Sequence, residues 1–424
     1  MPWWRHFDLS WFVPSESFKL VTFLGIRPDI IRTHKLVRLL DRGQSDNGYR
    51  HFYVHSGQHF DDELDGVFHR ELGVRPPDLN LAIGRILRRR GKAGHVEQSA
   101  LLFTNTAKML EKLRPDAVLY LGDTNTVLSS MIVAKYGIPV LHIEGGGRSF
   151  DWRMPEEKNR VVIDHLSDVI YCYLGRYKEI LLSEGIPDYR IVVVGNIIVD
   201  ALNSFLPEAD RNTVLERLGV KKRDYILCTL HREENIEDST GFIAKIRGLQ
   251  ELSHSMPVVF PMMPRVQAKA KSFGLEKLFR NSRIVRTKPL GFLEFLKLEK
   301  YARLIVSDSG TVQEEALLLG IPCLVVRRST ERPETIAAGA TVLAENDLCR
   351  TALRILEKHA DWDRGVLNPL GGSPSERIYN DLIVRINSGF FAKSRQFEML
   401  KSNAFVREAY GFVNGNLDNR SCCK

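Results

Sequence analysis

Three carboxylates stand at positions where chemistry can be done. Asp123 ends the apolar run AVLYLGD, Glu144 ends the run PVLHIEG, and Glu156 follows Pro155 at an expected helix start. Proline suits a first helical position because the N–H it lacks would be unpaired there. Three glycines, 145–147, separate Glu144 from a loop carrying Arg148, Asp151 and Arg153, and Glu157, Asn159, Arg160, Asp164 and His165 lie just beyond. Carboxylates gathered together push at least one pKa upward. A general acid or base working near neutral pH needs that shift. Two quieter readings compete: aspartate is a good helix N-cap, which would account for Asp123, and structural ion-pair networks can imitate an active site.

A second group suits an anionic leaving group. His231 ends YILCTLH beside Arg232, and SDSGTVQEE reads as a strand, a tight turn and a helix start. A lone histidine is more often structural, but one at a carboxyl strand end is a candidate for steadying departing phosphate. Ser309, Gly310 and Thr311 can offer N–H groups and hydroxyls to a phosphate at a helix N-terminus, and Glu315 can accept from a ribose diol. Arg327, Glu331, Arg332 and Glu334, in RRSTERPE, add charge to the same rim. After the first strand, GIRPD has one glycine where a dinucleotide fingerprint has three. That argues against bound NAD. Arg27 presents a guanidinium fork to an anion instead, with Arg32 as a second cation.

These residues need a scaffold. At 424 residues the chain exceeds what one core usually serves, so two domains are expected. With 44% apolar and 26% charged residues it has an ordinary globular composition. A net charge of +8 fits an anionic substrate at least as well as nucleic acid. The cysteines, at 172, 228, 323, 349, 422 and 423, are scattered, so neither a disulfide framework nor a metal site is suggested. No apolar run reaches the ~20 residues needed to span a bilayer, and MPWWRHFDLSWF lacks a signal-peptide core. A reducing cytoplasm is the expected setting.

Apolar runs recur at 20–25, 51–57, 117–123, 139–145, 168–173 and 191–196, then at 225–231, 257–263, 283–289, 303–309, 322–327 and 341–344. Amphipathic helical patterns alternate with them, as at 95–113 and 241–252. Near-continuous apolar strands between helices mean a parallel sheet covered on both faces. Six strands and then six suggest two doubly wound α/β domains, with a boundary near 197–215. Most of the runs end on polar residues, and carboxyl strand ends face the ligand cleft in such sheets. Three regions stand outside this plan: residues 1–17, the polar tail 391–424, and RILRRRGK at 85–92, expected to be a solvated loop.

Together the motifs resemble the non-hydrolysing UDP-N-acetylglucosamine 2-epimerases over about residues 18–388. The resemblance rests on GIRPDIIR, SGQHFDDEL, GDTNTVL, HIEGGGRSFDWRMPEEKNR, VGNIIVDAL, TLHREEN, DSGTVQEEALLLG, RSTERPE and NPLGGSPSERI, in order and spacing. It implies a GT-B type fold of two Rossmann-like domains facing a central cleft. The first domain would span 18–200, joined by a crossing helix at about 374–388, and the second, UDP-binding domain 201–373. It implies loss of the carbon-2 proton and of UDP, then readdition to a bound 2-acetamidoglucal, with no cofactor and no metal. Asp123, Glu144 and Glu156 match the family's catalytic carboxylates, and His231 matches the histidine assigned to the departing UDP. Arg27, Arg32, Phe295, Ser309, Gly310, Thr311 and Glu315 match nucleotide-side positions. The family suggests a homodimer acting on a UDP-sugar, without nucleic acid or membrane.

This sequence also departs from the pattern. Asp29 and Arg32 stand where Glu and Lys are usual, Gly145 and Gly147 where Ala and Leu are, Thr311 where a second glycine is, and Arg328 where Asp is common. Met263 replaces the histidine of an allosteric site that binds a second UDP-GlcNAc in regulated members. Rival readings are a 2-epimerase of another UDP-2-acetamido sugar such as a diacetamido uronic acid, a hydrolysing form, a UDP-sugar glycosyltransferase, and a nucleotide-sugar-binding regulator.

Overall fold

The computed structural model describes residues 17–58, 73–91, 94–280, 282–344, 347–357 and 361–391. The N-terminal extension, the tail and most of SGQHFDDEL lie outside the described residues.

Seven parallel strands form the first sheet: β1 (Phe18–Leu24), β2 (Tyr49–His55), β3 (Leu79–Asn80), β4 (Ala117–Leu121), β5 (Val140–Ile143), β6 (Val169–Cys172) and β7 (Ile191–Val193), in the order β3-β2-β1-β4-β5-β6-β7. Six more form the second: β8 (Ile226–Thr229), β9 (Val258–Pro261), β10 (Ile284–Thr287), β11 (Leu304–Ser307), β12 (Cys323–Val325) and β13 (Thr341–Leu343), in the order β10-β9-β8-β11-β12-β13. All twelve expected strands are present. The two-residue edge strand β3 is an addition, too short to leave a sequence pattern.

Both faces of each sheet are buried. In β1, Leu20 and Leu24 face one core while Val21 and Phe23 face another. Helices supply the covers, which is why the strands read as unbroken apolar runs. The helix Pro374–Asn387 returns to the first sheet and buries Ile378 and Leu382 in its core. Ser375 N–H donates to Asp200 at 2.8 Å, and Tyr171 Oη donates to Asp381 at 2.9 Å.

RILRRRGK is not a loop throughout: Ile83–Arg89 is helical. Ile83 and Leu87, four residues apart, are both buried on one face, and the basic residues take the remaining turn of the surface. A seven-residue helix with two apolar anchors is masked in sequence by its three arginines and the two cations that follow it.

Candidate active site

Sheet register creates the site. β4 and β5 are neighbours with Leu121 opposite Ile143, so Asp123 and Glu144 leave the same sheet edge side by side. β8 and β11 pair with Thr229 opposite Ser307, so His231 and Asp308 emerge together from the second sheet.

Glu144 is buried and has φ +78°, a left-handed conformation that a non-glycine residue rarely takes. Its two oxygens accept from different halves of the chain. Arg32, in the helix Arg27–Gly43, donates to Oε2, and Arg332, just before the helix Pro333–Ala337, donates to Oε1. Arg32 also donates to Asp29 at 3.1 Å. Arg332 continues to Glu314, which accepts from Asn196 Nδ2 at 2.8 Å. Burial pushes the Glu314 carboxyl up to about 8 against the pull of Arg332, and the charges of Glu144 and Glu334 add to the rise. Burial likewise drives Asp29 up to about 6, although Arg32 and the Gly25 and Ile26 N–H groups oppose it. That Asp29 carboxylate fills the N-terminus of the first helix, where a dinucleotide pyrophosphate would sit.

Asp123 accepts from Arg160, and Asn159 Nδ2 donates to its carbonyl at 2.9 Å. Burial would raise the Asp123 carboxyl, but Arg160 carries it below its ordinary value. The two glutamates after Pro155 divide sharply. Glu157 is buried and accepts from Ser149 N–H at 3.1 Å, Ser149 Oγ at 2.8 Å and Phe150 N–H at 2.9 Å, which fixes the loop. Glu156 is half-buried, and its carboxylate interacts electrostatically with Arg232. Arg148 is committed to Asp164 and Glu184, and Arg153 to Asp151, so the quieter ion-pair reading holds for those two arginines.

On the second sheet, Asp308 is buried and accepts from the N–H groups of His231 and Arg232, each at 3.0 Å, and from Asn235 Nδ2 at 3.0 Å. The His231 ring sits 3.0 Å from the same carboxylate with its side chain 48% exposed, which leaves its other edge accessible. Burial opposes ionisation of Asp308, yet His231 and these donors hold it well below the usual carboxylate range. Arg232 reaches Glu331 at 3.3 Å, and Glu331 also takes Arg327 at 3.0 Å.

Ser309 caps the helix Gly310–Leu319, and a Cβ on Gly310 would lie 2.4 Å from Glu331 Oε1. A side chain at 310 would displace the Glu331 carboxylate from that approach. Thr311 and Arg27 are half-buried at helix starts. Phe295, on the helix Phe292–Tyr301, packs partly buried against the second core. Glu315 is buried against Glu299. Burial raises Glu315 to about 7 and Glu299 well above its ordinary value, so the two carboxyls cannot both be ionised at neutral pH.

The structure thus joins Asp123 and Glu144 on one sheet edge, brings Arg232 to both Asp308 and Glu331, and places Arg32 on Glu144. Arg332 and Arg160, which touch Glu144 and Asp123, were visible in sequence only as rim and helix charge; the strand-end position of RRSTERPE was the available signal. Among the described residues no cluster of His, Cys, Asp or Glu is arranged to hold a metal ion, and no helix is long and apolar enough to cross a membrane.

Residues 41–381 match the family model described as UDP-N-acetylglucosamine 2-epimerase. The chain is 39% identical over 371 residues to a UDP-N-acetylglucosamine 2-epimerase from Methanocaldococcus jannaschii, covering 85% of this chain and 97% of that protein. It is 33% identical over 367 residues to a UDP-2,3-diacetamido-2,3-dideoxy-D-glucuronate 2-epimerase from Pseudomonas aeruginosa, covering 85% and 98%. The crystal structure of the M. jannaschii UDP-GlcNAc 2-epimerase in complex with UDP-GlcNAc and UDP superposes with a TM-score of 0.77, covering 86% of this chain and 99% of that one. With two parallel sheets, carboxylates at the edge of one and a histidine at the edge of the other, the chain belongs to the UDP-N-acetylglucosamine 2-epimerase family.

Proposed function

We propose that the protein interconverts UDP-N-acetylglucosamine and UDP-N-acetylmannosamine by elimination and readdition of UDP. The observation that carries this reading is the pair Asp123 and Glu144 on adjacent strand ends, each held by arginine. Carbon 2 bears an amide nitrogen and its C–H is barely acidic. Departure of UDP from the anomeric carbon develops positive charge beside it, and a carboxylate can then take the proton. The C–O bond to UDP breaks as the C1–C2 double bond of 2-acetamidoglucal forms. Return of UDP and of a proton to the opposite face completes the exchange. In this reading Asp123, Glu144 and Glu156 handle the proton. His231, anchored by Asp308, steadies the diphosphate with Arg27 and the 309–311 turn, where fixed donors act without reorganisation. Phe295 and Glu315 serve the uridine side, while Arg32 sets Glu144.

Turnover of UDP-GlcNAc in deuterium oxide, without acceptor or added cofactor, tests this. Deuterium at carbon 2 of the epimerised sugar is expected. Retention of the original proton, or a requirement for NAD, overturns it. A second reading, a diacetamido uronic acid at the same carbon, is favoured by the P. aeruginosa relative; comparing kcat/KM for the two UDP-sugars decides. The domain division at about residue 200, a homodimer and a cytoplasmic setting belong to the same proposal, and light scattering measures the oligomer.

A further inference from the structure

His142 occupies an apolar register position of β5. Val140, on the same face, lies in the core with Ile163. The His142 ring is wholly buried, as is Asp164. Nε2 lies 2.8 Å from the Gly122 carbonyl oxygen, and Nδ1 lies 2.7 Å from Asp164 Oδ1. A carbonyl can only accept, so Nε2 carries a proton and donates it to the peptide directly before Asp123. Asp164 Oδ2 accepts from Gly146 N–H at 3.0 Å and from Arg148 at 2.7 Å, two and four residues past Glu144.

One imidazole therefore ties the turn after β4 to the loop after β5. The surrounding backbone is shaped to admit the tie. Gly122 has φ +74° and Gly146 φ +83°. A Cβ on Gly145 would stand 2.7 Å from Asp164 Oδ1 and 3.3 Å from His142 Nδ1. Nothing in packing alone calls for a histidine here; a phenylalanine would fill the same apolar face, and a buried polar ring is stabilised only when both nitrogens find partners.

We infer that His142, through Asp164, is a positioning residue that fixes the separation of Asp123 from Glu144 for proton transfer at carbon 2. It touches no substrate in this role. The inference rests on the elimination mechanism proposed above, in which two carboxylates must serve opposite faces of one carbon. A bound intermediate can either recombine with UDP and a proton or escape. A misplaced carboxylate slows recombination and leaves escape unchanged.

The test is the partition of turnovers between epimerised sugar and released UDP with 2-acetamidoglucal. That ratio does not depend on how much of the sample is folded, so loss of structure alone does not move it. His142→Phe is expected to lower kcat by about 100-fold, as misplacement on the order of 1 Å can do, with KM nearly unchanged. The released fraction should rise several-fold. Asp164→Asn keeps the shape and weakens the tie, so it should shift the ratio in the same direction by less, and it serves if the phenylalanine variant does not fold. Wild-type partition in either soluble variant overturns the inference while the epimerase reading stands. A wild-type enzyme that epimerises neither UDP-sugar overturns both.

Discussion

Glu314 shows how far a buried residue can depart from its ordinary chemistry. It faces Arg332, Arg32, Glu144 and Glu334, with Tyr173 and Tyr177 close by, and accepts from Asn196. Arg32 and Arg332 are set among the carboxyls of Asp29, Glu144, Glu314 and Glu334, so protons must be retained there. Burial raises Glu314 from 4.5 to about 8. A carboxyl raised on folding binds more protons in the native state, so its contribution is fully present below about 4.5 and is lost as pH climbs to about 8. Glu314→Gln removes that titration and keeps an acceptor for Asn196. We expect the variant to gain Tm relative to wild type at pH 8.5 and to show no such gain at pH 4.5. Thermal unfolding at the two pH values checks this, and a constant difference would show that Glu314 is not the titrating group.

The loop after β5 states the same economy at the level of an element. Its glycines let the backbone approach what lies beneath, and the sequence alone offered no account of why a glycine stands at 145. A Cβ there would meet Ile170 Cγ2 at 2.1 Å, so Ile170 on β6 already fills the space. Gly145→Ala should cost about 1–3 kcal/mol, the usual penalty of overpacking. Ile170→Ala should relieve part of it, giving a favourable coupling in a double-mutant cycle of about 0.5–3 kcal/mol. Denaturant unfolding of the four proteins measures it, and additive effects would count against the overlap. Strands, their parallel pairing and the carboxylates at their ends were legible because buried β-structure writes continuous apolar runs. Arg332 on Glu144 was not, since the partners are 188 residues apart and nothing local marks the meeting. The division of labour between Glu156 and Glu157 was equally hidden: adjacent residues on a helix point in different directions, but only the fold decides which direction is loop and which is cleft.

At the scale of the whole molecule, the last described helix belongs to the first sheet. Leu382 is fully buried in that core, and Asp381 accepts from Tyr171 on β6. Leu382→Ala should destabilise the first half by about 2–5 kcal/mol, the range for large-to-small changes in a packed core. Limited proteolysis should then cut within residues 18–200 sooner than within 201–373; unchanged or reversed order of cleavage would show that the helix does not support the first sheet. Asn196 on Glu314 and Tyr177 on Glu334, each at 2.8 Å, join the two halves beside the site.

Glu144 takes one guanidinium from residue 32 and the other from residue 332. Such a site cannot be inherited by halves. Recombination that exchanged the second half would preserve every strand, yet it would keep this pairing only if the incoming half carried an arginine in the place of Arg332. Selection must read the two ends of this gene as a single sentence, although the fold would let them be written as two.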